Sequence, residues 1–155
     1  MTAITMTAKR HGTFRMRGWK FFLGDPCYAF PADRPELWSG ICDHLIFFGT
    51  DKSQVIPDVG GSGYSVLVFP VANGDGVYSG SDGHEYGIDS GTLGLVPLEL
   101  VVFAHGGKGT ADVMARLNRL GRIIEIDADE LPCTNRDGEM IFGGITIDTR
   151  GKQWR

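Results

Sequence analysis

Three aspartates stand at chain corners and raise the first chemical question. They are Asp25 in Gly24-Asp25-Pro26-Cys27-Tyr28, Asp75 in Gly74-Asp75-Gly76-Val77-Tyr78, and Asp89 in Ile88-Asp89-Ser90-Gly91-Thr92-Leu93-Gly94. Two of these blocks share the form Gly-Asp-x-x-Tyr, which sets an aromatic ring three residues after a carboxylate. Converging carboxylates can bind a cation, and a single one can act as a general base. The competing reading is that each Asp caps its own turn by accepting backbone N–H bonds, with the tyrosine packed beside it. Asp25, Asp75 and Asp89 are thus the catalytic candidates, with turn capping as the alternative.

Other chemistries have less support. His11, His44, His84 and His105 show no His-x-x-x-His or Glu-containing metal pattern, so no metal and no cofactor is expected. A Gly-x-Ser-x-Gly elbow is absent, and Ser90 has no spacing that pairs it with His84 or His105. Gly106-Gly107-Lys108-Gly109-Thr110 lacks the upstream glycine of a phosphate loop. It can still offer backbone N–H groups and a helix N-terminus to an anion, which makes Lys108 a ligand-binding candidate. Trp19 and Tyr28 are candidates for stacking on a base, with core packing as their alternative. Arg15, Arg17 and Tyr78 complete the ligand-binding set.

Charge is uneven along the chain. Lys9, Arg10, Arg15, Arg17 and Lys20 precede Asp25 with no acid among them. Subtracting these five from 15 cations leaves 10 against 19 acids in the rest, so a net charge of −4 divides into +5 and −9. An acidic body disfavours duplex nucleic acid, whose binding draws on many Lys/Arg–phosphate contacts. The basic head suits a single phosphate or the acidic body of a second copy. No apolar run approaches the ~18–20 residues of a membrane span, and the first residues lack the apolar block of a secretory signal. Cys27, Cys42 and Cys133 are an odd count without Cys-x-x-Cys spacing, which reads as reduced thiols in a cytoplasmic compartment.

The elements that must position these residues follow from periodicity and breakers. Glycine fills 23 of 155 positions, too many for a helical bundle and suited to a chain of tight turns. Residues 1–13 read as a flexible basic arm, and 14–155 as one domain. Strands are expected at Phe14–Phe22, Cys27–Phe30, Tyr64–Val71, Val77-Tyr78, Glu85–Asp89, Arg122–Asp127 and Glu139–Asp148. Asn73-Gly74 and Asp75-Gly76 predict a hairpin, and Pro97 inside Thr92–Phe103 predicts two strand pieces or an edge strand. Asp51–Gly63 reads as a loop. Helices are expected after Asp33, with Leu37, Trp38, Ile41 and Leu45 on one face, and over Thr110–Leu120, closed by Gly121. Strands follow one another without regular intervening helices. The fold class is therefore mainly β (β-rich α+β): a single-domain antiparallel barrel or sandwich with one or two short helices.

At Gly24–Tyr28, Gly74–Tyr78, Asp89–Leu100 and Phe142–Thr149 the chain resembles a group of small proteins from bacteriophage and bacterial genomes. The resemblance spans about residues 20–150 and leaves His105–Asn118 unmatched. It implies a small accessory protein that counters host defence by binding a host protein or a nucleotide signal. The function expected from all of this is a non-catalytic binding protein for a host protein or a small anionic, nucleotide-like ligand, with a homo-oligomer as its expected state. A carboxylate- or metal-dependent hydrolase is the first alternative, and a virion or assembly component the second.

Overall fold

The computed structural model describes residues 2–7, 19–46, 54–128 and 130–151. The strands are β1 (Thr2–Thr7), β2 (Trp19–Gly24), β3 (Gln54–Ile56), β4 (Val66–Pro70), β5 (Gly76–Ser79), β6 (Glu85–Ile88), β7 (Thr92–Pro97), β8 (Arg122–Ile126), β9 (Glu130–Arg136), β10 (Glu139–Phe142) and β11 (Ile145–Asp148). The α-helices are α1 (Pro35–Ile46), α2 (Leu98–Ala104) and α3 (Thr110–Leu120). Two antiparallel sheets dominate, one ordered β3-β4-β7-β2-β8 and the other β1-β9-β10-β11, with β5 and β6 as a separate ribbon. Neither sheet closes on itself, so the β-rich α+β fold is a sandwich and not a barrel.

The core lies where the two sheets meet. Phe69 of β4 and Phe142 of β10 stand with ring centroids 5.5 Å apart, and both are buried. Phe21, Phe22 and Leu23 of β2, all of β7, and Leu100, Val101 and Leu117 from the helices complete it. β7 is buried at every residue because it is central, between β4 and β2. Such a strand reads as a continuous apolar run, as Thr92–Pro97 does.

Several expectations need correction. Thr2–Thr7, read as part of a flexible arm, form an edge strand paired over six residues with β9. Its alternation of Thr with Ile4 and Met6 suits a half-buried strand, and Met6 reaches the core. The rest of the expected arm, with Arg15 and Arg17, lies outside the described residues, as do the first residues of the strand expected from Phe14. Cys27–Phe30 is not extended: Pro26–Ala29 form a 3-10 turn because the Asp25 carboxylate caps the Cys27 N–H at 3.0 Å. Thr92–Phe103 is one strand and one helix. Pro97 ends β7, where it forfeits no interior ladder bond, and opens α2. Within the expected 51–63 loop, β3 forms and pairs with β4.

The predicted hairpin at Ala72–Gly76 is also absent, since β4 pairs with β3 and β7 while β5 pairs with β6. Hydrogen bonds from distant residues outweigh the local turn preference there. The Ala72 N–H donates to Thr149 Oγ1 at 3.0 Å, and the Asn73 amide donates to the carbonyls of Arg150 and Gly151. The hairpin turns form instead at Ser81-Asp82-Gly83 and at Asp137-Gly138. The latter pair holds φ of 50° and 102°, as a primed two-residue turn requires. α1 and α3 form where the sequence indicates. α3 buries Leu117 and packs Val113 and Met114 against the core, but its N-cap is Gly109 and not Thr110.

Close approach fixes one glycine of the central strand. A Cβ on Gly94 would lie 1.8 Å from the Leu67 carbonyl oxygen of the neighbouring β4. Gly94→Ala must push two core strands apart and is expected to cost about 3 kcal/mol, the upper end for overpacking. Urea denaturation checks this, and a variant as stable as the parent refutes it.

The β5–β6 ribbon is tied to β8 through Asp82, which accepts from Tyr86 Oη at 2.7 Å, Arg122 Nη1 at 2.7 Å and the His84 N–H at 3.1 Å. Partial burial pushes this carboxyl up, but the three donors outweigh it and hold it below its ordinary 3.8. A lowered carboxyl stabilises the fold above its unfolded value and loses that contribution as pH falls through the folded one. Denaturant unfolding should therefore show the parent losing more stability than Asp82→Asn between about pH 5 and pH 2. Parallel acid limbs would rule the linkage out.

Candidate functional site

Two sites on the β2–β7 pair bring together the residues that the sequence singles out. The first lies at the end where Gly24 faces Gly94. Asp25 follows β2 immediately and is fully buried. Its Oδ1 accepts from the Cys27 N–H at 3.0 Å and from Ser90 Oγ at 2.7 Å. Its Oδ2 accepts from the backbone N–H groups of Asp89 and Ser90, both at 2.7 Å. Ser90 Oγ also lies 2.5 Å from Thr92 Oγ1. One carboxylate thus joins the Gly-Asp-Pro-Cys-Tyr corner to the Asp-Ser-Gly-Thr corner, 64 residues away in sequence. A buried charge needs such compensation, and each bond to an ionised acceptor is worth roughly 1.5–3 kcal/mol.

Asp89 itself is exposed, and its Oδ2 accepts from Tyr28 Oη at 2.6 Å. Arg116 of α3 donates from Nη2 to the Tyr28 carbonyl at 2.7 Å, which locks the same corner to the helix layer. Desolvation, then the bond to Asp89, pushes the Tyr28 hydroxyl up. The Cys27 thiol is pushed up by desolvation and by Asp25 beside it. Burial also raises Cys42, and it pushes Cys133 up to about 12. All three thiols are free, and each stays in the form that is a poor nucleophile.

Of the three aspartates, the structure brings Asp25 and Asp89 together. Asp75 precedes β5 and follows the ribbon register to the same end as Asp89, since Gly76 pairs with Ile88. Among the described residues, no group of three His, Cys, Asp or Glu side chains is arranged to hold a metal ion. Tyr78 is buried and donates from Oη to the Gly74 carbonyl at 2.7 Å, bracing its own turn. Burial, then the charge of Asp75, raises its hydroxyl. Ser90 is engaged by Asp25, whereas His84 stacks edge-on against Tyr86 at 5.2 Å and the His105 ring meets the Val101 carbonyl at 2.9 Å. Lys108 is exposed on the loop between α2 and α3.

The second site is a cleft of about 510 Å³ at the opposite end of the β2–β7 pair. Trp19 and Lys20 of β2 and Pro97 of β7 line one side, with Tyr64 from the lead into β4. Leu98, Glu99, Val102 and Phe103 of α2 line the other. Trp19 stacks against Phe21 at 5.4 Å and Tyr64 at 6.1 Å, which fixes the inner wall. Phe103 is 41% exposed, unusual for so large an apolar ring, and the Arg34 guanidinium lies 5.4 Å from its centroid. Lys20 is exposed and makes no ion pair among the described residues.

Of the cleft residues, the sequence analysis selects Trp19 as a stacking candidate and includes Lys20 in the basic head. Tyr64 and Phe103 escape it because the cleft is assembled from three separate segments. A signal did exist: Leu98 and Val102 stand four residues apart, as on one helix face, but a strand reading of Thr92–Phe103 conceals it. Among the described residues no helix is long and apolar enough to cross a membrane. Comparisons of the chain with protein-family models, curated proteins and solved structures gave no match.

The corner geometry separates the two aspartates by expected effect. Asp25→Asn turns an amide N–H₂ toward N–H donors in a buried site and should cost about 3 kcal/mol. Asp89→Asn keeps an acceptor for Tyr28 and should cost under about 1 kcal/mol. Paired denaturation curves check the ordering, and an Asp25→Asn protein of parental stability would overturn the role of Asp25 as a clamp.

Proposed function

We propose that this chain is a non-catalytic binding module whose aromatic cleft takes a small, flat, anionic ligand of nucleotide type. The observation that carries the reading is the cleft itself, with aromatic walls and, at its rim, a lysine that makes no ion pair among the described residues. Its volume of about 510 Å³ falls within the usual range for small-molecule sites. A base entering between the Trp19–Tyr64 wall and Phe103 gains stacking worth roughly 1–3 kcal/mol. Lys20 then meets a phosphate, while Arg34, over the Phe103 ring, is paired with Glu36 at 3.2 Å and does not line the cleft. One or two cations suffice for a mononucleotide, whereas the acidic body opposes a long polyanion.

The state of Asp25 supports a role without turnover, because its hydrogen bonds are all made within the fold and it is fully buried. The resemblance to small phage and bacterial proteins fits the same reading, since sequestering a nucleotide signal is one way for an accessory protein to counter host defence.

Titration calorimetry against nucleotides, cyclic nucleotides and the matching nucleosides tests the proposal. Phe103→Ala should weaken binding at least about tenfold, the loss of one stacking contact. Lys20→Ala should weaken nucleotides and leave nucleosides unchanged. Absence of heat across the panel would refute the nucleotide reading.

A further inference from the structure

A sheet edge exposes a row of unpaired N–H and C=O groups, and folded proteins usually blunt it by shortness, charge, proline or cover. Among the described strands, three sheet edges show such protection. β3 is three residues long, and β8 carries Arg122 and Glu125. β11 is covered by Gly80, which bridges to Ile147, and by Ser81, whose N–H donates to the Thr146 carbonyl at 2.8 Å. β1 differs: it is six residues long, Thr-Ala-Ile-Thr-Met-Thr, without charge, proline or glycine.

The neighbour of β1 shows which backbone groups of β1 have no partner among the described residues. Pro132 of β9 has no N–H, and its carbonyl accepts from the Gly143 N–H at 3.0 Å, on the β10 side. Thr5 stands opposite Pro132, so the backbone groups of Thr5 point away from β9. By alternation those of Ala3 and Thr7 do the same, while Ile4 and Met6 bond to β9. Among the described residues, the open edge therefore offers three equally spaced donor–acceptor positions centred on Thr5.

We propose that β1 is a dimerisation strand that pairs antiparallel with β1 of a second copy of this chain, about a two-fold axis at Thr5. That register sets Thr5 against the partner's Thr5 and Ala3 against the partner's Thr7. It forms about six backbone hydrogen bonds. Ile4 falls opposite the partner's Met6, on the face already turned to the core, and the four-stranded sheets merge into one of eight. A second copy is favoured because the strand is its own complement. The two-fold sets Thr against Thr, a favourable cross-strand pair, and brings no like charges together although the chain carries a net −4. An extended segment of another protein would have to match this pattern independently.

Sedimentation equilibrium of the full chain tests the proposal with Thr5→Pro and Thr5→Lys. Thr5→Pro removes an outward N–H and no bond to β9. Thr5→Lys places two exposed cations opposite each other at the axis. The parent should sediment at twice its 16.9 kDa. Both variants should dissociate at least tenfold more readily, with unchanged circular dichroism. A monomeric parent, or variants that dimerise as tightly as the parent, would overturn it. If Thr5→Pro unfolds, Thr5→Lys alone decides, because its side chain points to solvent. A monomeric parent that instead binds an extended foreign peptide along β1 would also reject the second-copy assignment.

Discussion

The Asp25 carboxylate is the contact on which most of this architecture depends. It lies in the core-like space between two corners, and each of its oxygens is used. The corners are the exit of β2 and the entrance to β7, which are neighbours in the sheet. Holding them together fixes Gly24 opposite Gly94 and so the register of the pair. A slip of one residue would send Phe21 and Leu23 to the wrong face of the sheet. Because the strands are antiparallel, the same register determines which residues meet at the far end. There the start of β2 and the end of β7 bring Trp19, Lys20 and Pro97 to one wall of the cleft. The clamp and the cleft are two ends of one strand pair.

A second polar knot does for the four-stranded sheet what Asp25 does for the five-stranded one. Thr149 is fully buried and donates to the Gly138 carbonyl at 2.6 Å while accepting from the Ala72 N–H. Asn135, also buried, accepts from the Gly138 N–H at 2.8 Å and reaches the Pro70 carbonyl at 3.4 Å. The turn after β9 is thereby fastened to the chain leaving β4. Buried polar groups satisfied in this way specify one arrangement of the layers, where apolar contacts alone would tolerate several. The Phe69–Phe142 contact between the sheets then has one geometry available to it.

What the sequence discloses divides by the range of the interaction. α1 and α3 are legible because a helix is decided by its own stripe and ends: Leu37 and Ile41 in one, Val113 and Leu117 in the other. The Asp137-Gly138 turn is legible because it needs positive φ at both residues. Asn73-Gly74 sends the same local signal and forms no hairpin, since Thr149 and the carbonyls of Arg150 and Gly151 hold that segment from 77 or 78 residues away. Pro97 is ambiguous for a similar reason. A proline can interrupt a strand, end it or open a helix, and only the packing of Leu100 and Val101 into the core selects the helix. The corner aspartates were visible as a set, but their partners were not, because a carboxylate does not announce which distant N–H groups it will accept.

The repeated Gly-Asp-x-x-Tyr form shows how little a shared pattern decides without its surroundings. In Gly24–Tyr28 the proline after Asp25 sets the first residue of a 3-10 turn, which buries the carboxylate and swings Tyr28 outward onto Asp89. In Gly74–Tyr78 a glycine stands after Asp75 and the chain enters a strand. Asp75 stays exposed, while Tyr78 folds back onto the Gly74 carbonyl. The same five-residue form is a long-range clamp in one place and a self-contained turn brace in the other. The difference rests on the residue after the aspartate, which decides whether the backbone tightens or extends. Function in this chain is therefore better sought where aromatic rings remain exposed, at Phe103 and the cleft it walls, than where the motif repeats.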